Sequence, residues 1–232
     1  MRTKVLLGAA VLAASLASSM AQNVYSLNVV GYVNVTLPAQ QFYAVANPLD
    51  ASLGGTVAGG NDITNLFSTA AGNIAANSSI ATFNSALVDY DPAITFNGKS
   101  GTWNANLAMP PGASALYFNA GATATVVTFV GQVAQGNYTV GTLPAQAFKF
   151  VGSPVPLGGD ISGLNTQLGL VPSANDSIAT FNSATVDWNP AVTWNGKSGT
   201  WNSALTIDPG QGFLYFNAAA SPNTWVSNFT VQ

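Results

Sequence analysis

One stretch of this chain is written twice. Ala76–Asn104 and Ala174–Asn202 align without a gap at an offset of 98, and 23 of 29 positions are identical. The match continues from "PPGASALYFNA" (Pro110–Ala120) to "DPGQGFLYFNA" (Asp208–Ala218). Upstream, "LPAQQF" (Leu37–Phe42) matches "LPAQAF" (Leu143–Phe148) at an offset of 106. The two offsets differ by 106 − 98 = 8, so the first copy carries about eight extra residues, in the Gly-rich "LDASLGGTVAGG". Two copies are too few for a solenoid, which needs about three or more. The chain is therefore expected to form two like units that pack together, or one sheet system with pseudo-two-fold symmetry.

The N-terminus bears on charge and compartment. Arg2 and Lys4 precede an Ala/Leu-rich apolar run from Val5 to Ser19, and Ser19-Met20-Ala21 supplies small residues for cleavage. This pattern predicts a signal peptide over residues 1–21 and a mature chain from Gln22. The run is short for a membrane span. The expected location is outside the cytoplasm: extracellular, at the cell surface or periplasmic. Without the leader three lysines remain against eight aspartates, a net charge of 3 − 8 = −5. That remainder contains no Arg, Glu, His or Cys.

Those absences remove whole chemistries. Three lysines cannot line a nucleic acid, which needs a basic stripe. Zinc sites draw on Cys and His, and Ser–His or Cys–His nucleophile systems lack their base. No metal, cofactor or catalytic residue is expected, and the chain reads as a non-enzyme. Abundant aromatic and β-branched residues argue for a folded chain and not a disordered one.

The periodicity is that of strands. In "YSLNVVGYVNVTL" (Tyr25–Leu37) apolar residues fall on one face and polar ones on the other, the period of a half-buried strand. Related strands recur at Thr123–Val133 and Thr224–Gln232. Asp62 is expected to cap a short helix over "ITNLFSTAAG" ending at Gly72, and Asp160 a second one ending at Gly169. The fold class is all-β: two tandem similar β-sandwich-like modules, each with one short helix, over residues 22–128 and 129–232. An outer-membrane barrel, which needs strands of about ten residues, is a further alternative.

The repeated "NGKSGTWN" carries the candidate site. Its Gly-Lys-Ser resembles the end of a phosphate-binding loop. Ala93 and Ala191 occupy the positions of the required upstream Gly, however, and no helix is signalled after it. No nucleotide is expected. Asn-Gly instead signals a two-residue type I′ hairpin. That register pairs Phe96 with Lys99 and places Lys99 and Trp103 on one strand face, with Lys197 and Trp201 alike in the second copy. Together with Asp89 and Asp187, which match between copies, these six residues form two candidate ligand platforms of aromatic, cationic and polar groups.

The motifs "NVVGYVNVTLPAQQFYAVANPLD", "PGQGFLYFN" and "TFVGQV…FVGSPVP" resemble a group of uncharacterised exported proteins from verrucomicrobial and related bacteria. The resemblance covers nearly the whole mature chain. It implies an exported β-rich protein and carries over no activity and no functional residue.

Two functional expectations follow. One is a non-catalytic secreted or cell-surface structural or adhesion protein, self-assembling as Tyr25–Leu37 adds to a sheet edge left open by Thr224–Gln232. The other is a carbohydrate-binding protein with two similar sites for a surface glycan. An enzyme resting on Asp89 and Asp91 and a calcium loop near Asp62 or Asp160 are further alternatives; a turn accounts for Asp91, which is Asn189 in the second copy, and helix caps account for Asp62 and Asp160.

Overall fold

The computed structural model describes residues 29–67 and 74–231. The expected leader, Tyr25–Asn28 and Gly72 lie outside the described residues. The protein is all-β, with short antiparallel sheets and two helices among the described residues.

In the first half, β1 (Val30–Leu37) and β9 (Thr125–Gln132) form an antiparallel ribbon. Between them in sequence lies a five-stranded sheet. Its members are β2 (Phe42–Ala46), β3 (Ser79–Ala81), β6 (Ile94–Asn97), β7 (Thr102–Trp103) and β8 (Ser114–Phe118), in the order β2-β8-β3-β6-β7. A small ladder joins β4 (Phe83–Asn84) to β5 (Asp89–Tyr90).

The second half follows the same order. Ribbon strands β10 (Gly136–Leu143) and β19 (Asn223–Phe229) pair with each other. The larger sheet contains β11 (Ala147–Gly152), β13 (Ser177–Asn182), β15 (Val192–Asn195), β16 (Thr200–Trp201) and β18 (Gly212–Asn217), in the order β11-β18-β13-β15-β16. Strand β14 (Asp187–Trp188) pairs with β13, and β12 (Gly159–Asp160) pairs with β17 (Thr206–Ile207).

Alternation along each strand builds the layers. On β2 and β8, Val45, Ala115 and Tyr117 enter a core shared with ribbon residues Leu37, Val127 and Phe129. Their neighbours Ala44 and Leu116 instead meet Phe150 and Leu214 of the other half, with Phe83, Tyr90, Phe181 and Trp188 around them. The two large sheets thus face each other across an aromatic layer, and each carries its ribbon on the far side.

Where the halves touch, repeated residues meet their own counterparts. The bridges Val45–Gln211 and Ala113–Val151 correspond under the offsets of 106 and 98. So do the hydrogen bonds from Ala46 N to Gly210 O (2.8 Å) and from Gly152 N to Gly112 O (3.0 Å). A Cβ on Gly152 would lie 2.3 Å from the Cβ of its counterpart Ala46, and one on Gly212 would lie 3.1 Å from that of Ser114. Self-meeting of equivalent positions is the signature of an isologous, two-fold contact, here built within one chain.

Several expectations change. The boundary at 128/129 cuts β9, which pairs along its length with β1 and at Gln132 also bridges Asp50; the break in strand pairing falls between Gln132 and Gly136. Of the stretch Tyr25–Leu37, expected to add to an edge left by Thr224–Gln232, the described Val30–Leu37 is paired as β1 with β9, while β19 is paired with β10. Each ribbon has two strands, so β1 and β19 are each strand-paired along one edge within their own half.

The helices also differ. α1 (Ile63–Leu66) is one turn, and Asp62 makes no side-chain cap; its carboxylate accepts from Asn106 Nδ2 at 2.6 Å. α2 (Ile161–Leu168) forms as the sequence implies. Asp160 accepts from Ser162 N at 2.9 Å, Ile161, Leu164 and Leu168 are buried, and Gly169 ends the helix at φ 64°.

Candidate binding grooves

The repeated hairpin closes later than Asn-Gly predicts. Phe96 pairs with Trp103 and Asn97 with Thr102, leaving Gly98–Gly101 as the loop. In the second copy Trp194 pairs with Trp201 and Asn195 with Thr200. Asn97 is the cause. Its Oδ1 accepts from Lys99 N (2.9 Å) and Ser100 N (3.3 Å), and its carbonyl accepts from Gly101 N (2.9 Å). This is an Asx turn, and it needs Gly101 at φ 67°, in the left-handed region. Asn195 and Gly199 repeat the geometry, with Gly199 at φ 65°.

This register separates the lysines from the tryptophans. Trp103 and Trp201 are each only 7% exposed and lie in the core. Trp103 meets Phe96 edge to face at a centroid distance of 5.4 Å, and Trp201 meets Trp194 at 5.3 Å. Lys99 and Lys197 sit on the exposed loops. Neither tryptophan offers a face to a ligand, so the platform of Lys99 with Trp103, and of Lys197 with Trp201, does not form.

The aspartates are elsewhere. Asp89 and Asp187 are exposed on β5 and β14, where each carboxylate accepts the next backbone N–H, of Tyr90 and Trp188, at 2.7 Å. Those aromatic neighbours turn into the layer between the sheets, away from the core that holds Trp103 and Trp201. Asp91 is structural: it accepts from Asn84 Nδ2 (3.0 Å) and Thr82 Oγ1 (2.7 Å), and these bonds hold its carboxyl below the ordinary value.

The loops do form a concave feature in each half. A groove of about 440 Å³ lies between the Lys99 loop and the turn at Ala76 and Asn77. Thr95 and Asn104 complete it. Its counterpart, about 600 Å³, lies between the Lys197 loop and Ala174 and Asn175, with Thr193, Trp194 and Asn202. Gly98 and Gly196 set the width: a Cβ there would lie 2.5 Å and 2.6 Å from Ala76 Cβ and Ala174 Cβ. Asn77 and Asn175 turn the opposite wall at φ 67° and 69°, a conformation Asn tolerates well.

Every lining position is the same in both grooves except one, Phe96 against Trp194. Phe96 is buried, whereas Trp194 is half-buried and shows part of its indole to the second groove. The asparagines were missed by sequence reasoning, although their place inside the near-identical 29-residue stretch was the signal. Among the described residues no cluster of three or more His, Cys, Asp or Glu side chains is placed to hold a metal ion.

No protein-family model matches the chain, and no curated protein or solved structure matches it.

Proposed function

We propose that this is a non-catalytic exported adhesion protein that holds a polysaccharide of the cell surface or its surroundings through two like grooves. The observation that supports it is the retention of one groove lining in two halves whose interiors have diverged. Two sites on a rigid body bind a repeating polymer with avidity, because the second contact is made at high effective concentration. Polar loops with an adjacent indole suit sugar hydroxyls, and the His- and Cys-free composition lacks the usual nucleophile–base pairs and zinc ligands. The residue ranges 22–134 and 135–232 are the repeat units of this reading.

Sedimentation of the purified chain with insoluble and gel-forming polysaccharides tests it. Co-sedimentation is expected, and it should weaken when Gly98→Val and Gly196→Val push both loops off Ala76 and Ala174. A chain that binds no polysaccharide, or binds equally well with both loops displaced, contradicts the reading.

A further inference from the structure

The groove linings are unbalanced in hydrogen-bond chemistry. Asn104 Oδ1 accepts from Thr95 N at 3.0 Å, and Asn202 Oδ1 accepts from Thr193 N at 3.0 Å. Asn97 and Asn195 likewise commit Oδ1 to the amides of their own loops. Only an oxygen can accept from a backbone N–H, so these bonds settle which end of each amide is which. The four Nδ2 groups remain as donors. Lys99 and Lys197 add ammonium donors at the loops, and neither groove is lined by a carboxylate.

This concentrates positive charge where the rest of the chain is negative. Beyond the leader region the sequence has three lysines against eight aspartates, and two of the three stand at these grooves. Asn77 and Thr95, with Asn175 and Thr193 in the second copy, also bring oxygens that can accept, so the linings are donor-rich and free of carboxylates, which complements oxygen-rich anions.

We propose that the grooves recognise the carboxylate or sulfate groups of an acidic polysaccharide, and that the Trp194 groove binds the more tightly. The proposal rests on the polysaccharide reading above and narrows it to one charge class. The difference between grooves comes from the indole, whose partly exposed ring stacks on a sugar while Phe96 is buried. Overall acidity of the chain disfavours polyanions at long range. At about 0.1 M salt the Debye length is about 10 Å, so the local lysine and amides dominate.

The informative variants are Asn104→Asp and Asn202→Asp. A carboxylate still accepts from Thr95 N or Thr193 N, so the loop anchor is kept while a donor becomes an acceptor. Affinity electrophoresis through gels containing a polyuronate, a sulfated polysaccharide or a neutral β-glucan reads the outcome. Thermal melts establish that the variants stay folded. Retardation is expected in one or both acidic gels, and which of them retards tells carboxylate from sulfate recognition. The double variant should lose roughly tenfold or more in affinity, the scale of a lost charge-assisted hydrogen bond. Asn202→Asp alone should cost more than Asn104→Asp, and Lys197→Gln should weaken binding in the same gels. Retardation by the neutral glucan alone, unchanged in the double variant, overturns this inference and leaves the polysaccharide reading standing. Retardation by none of the three overturns both.

Discussion

The two halves solve one packing problem in different ways. In the first, Phe67 stacks on Tyr117 with a centroid distance of 5.3 Å, and Trp103 and Phe129 pack edge-on around Phe67. Among the described residues Trp103 Nε1 has no hydrogen-bond partner, and Tyr117 Oη makes no bond of good geometry although Ser78 lies beside it. In the second half the aligned positions are polar. Asn165 replaces Phe67, Asp176 replaces Ser78, and Ser227 replaces Phe129. Tyr215 donates to the fully buried Asp176, which also accepts from Ser173 N and Ala218 N at 2.7 Å each. The Asn165 amide, in the orientation that satisfies both ends, accepts from Trp201 Nε1 at 2.9 Å and donates to Ile161 O at 3.1 Å.

The lesson is that one strand order tolerates either an aromatic stack that orphans Trp103 Nε1 and Tyr117 Oη or a polar network that pairs their equivalents in Trp201 and Tyr215, although Ser227 Oγ has no partner among the described residues. Burial pushes the Tyr215 hydroxyl far up, reinforced by its bond to Asp176 and by that group's charge; Tyr117 is raised by burial, with Ser78 pulling the other way. The interiors have diverged, while the groove linings over them differ at a single position.

Asp176 gives the largest expected effect. Asp176→Ala strands one buried hydroxyl and two part-buried backbone amides, at a cost of about 3–5 kcal/mol. Ser78→Ala removes the acceptor of one such bond, from Ala120 N, and should cost about 1 kcal/mol. Urea unfolding of both variants checks the contrast, and equal losses would break it.

Next in size is the contact between halves. Gly152→Ala forces a Cβ onto Ala46 and should destabilise by about 1–3 kcal/mol. Adding Ala46→Gly should restore most of that loss, because the two positions are counterparts meeting face to face. No recovery in the double variant would mean that this crossing is not the two-fold contact described above.

Acid sensitivity should differ more subtly. Hydrogen bonds from Asn84 and Thr82 lower the Asp91 carboxyl, and bonds from Ser52, Gly54 and Asn61 outweigh burial to lower Asp50. A carboxyl depressed in the folded state contributes stability above its unfolded value of 3.8 and loses it as pH falls through the folded value. Stability should hold to about pH 5 and decline below pH 4. Asp91→Asn should flatten that decline and Asn189→Asp should steepen it, since Asn189 stands where the first half has Asp91. Thermal melts from pH 6 to pH 2.5 measure the slopes.

Local patterns explain which parts of this were readable in the sequence. The alternation of Val33, Val35 and Leu37 marked the buried face of β1 because each residue meets the same core. β10 was harder to see, since a register shift between Thr139 and Gly141 interrupts its period. The hairpin was misread by privileging Asn-Gly over the second glycine of "NGKSG". Gly101 takes the left-handed turn, and the longer loop carries Lys99 away from Trp103. Asp62 was read as a cap because its neighbours are local, whereas its partner Asn106 is 44 residues away. The approach of Ala46 to Gly152 has no local signature. Duplication made a two-fold contact conceivable, and only the assembled sheets show which surfaces meet.

The central claim is that the two halves present one binding groove twice. Calorimetric titration with a short acidic oligosaccharide tests this most directly. Two sites per chain are expected, the tighter one lost in Asn202→Asp and the weaker one in Asn104→Asp. A single site untouched by either substitution, or no heat of binding at all, would contradict the account.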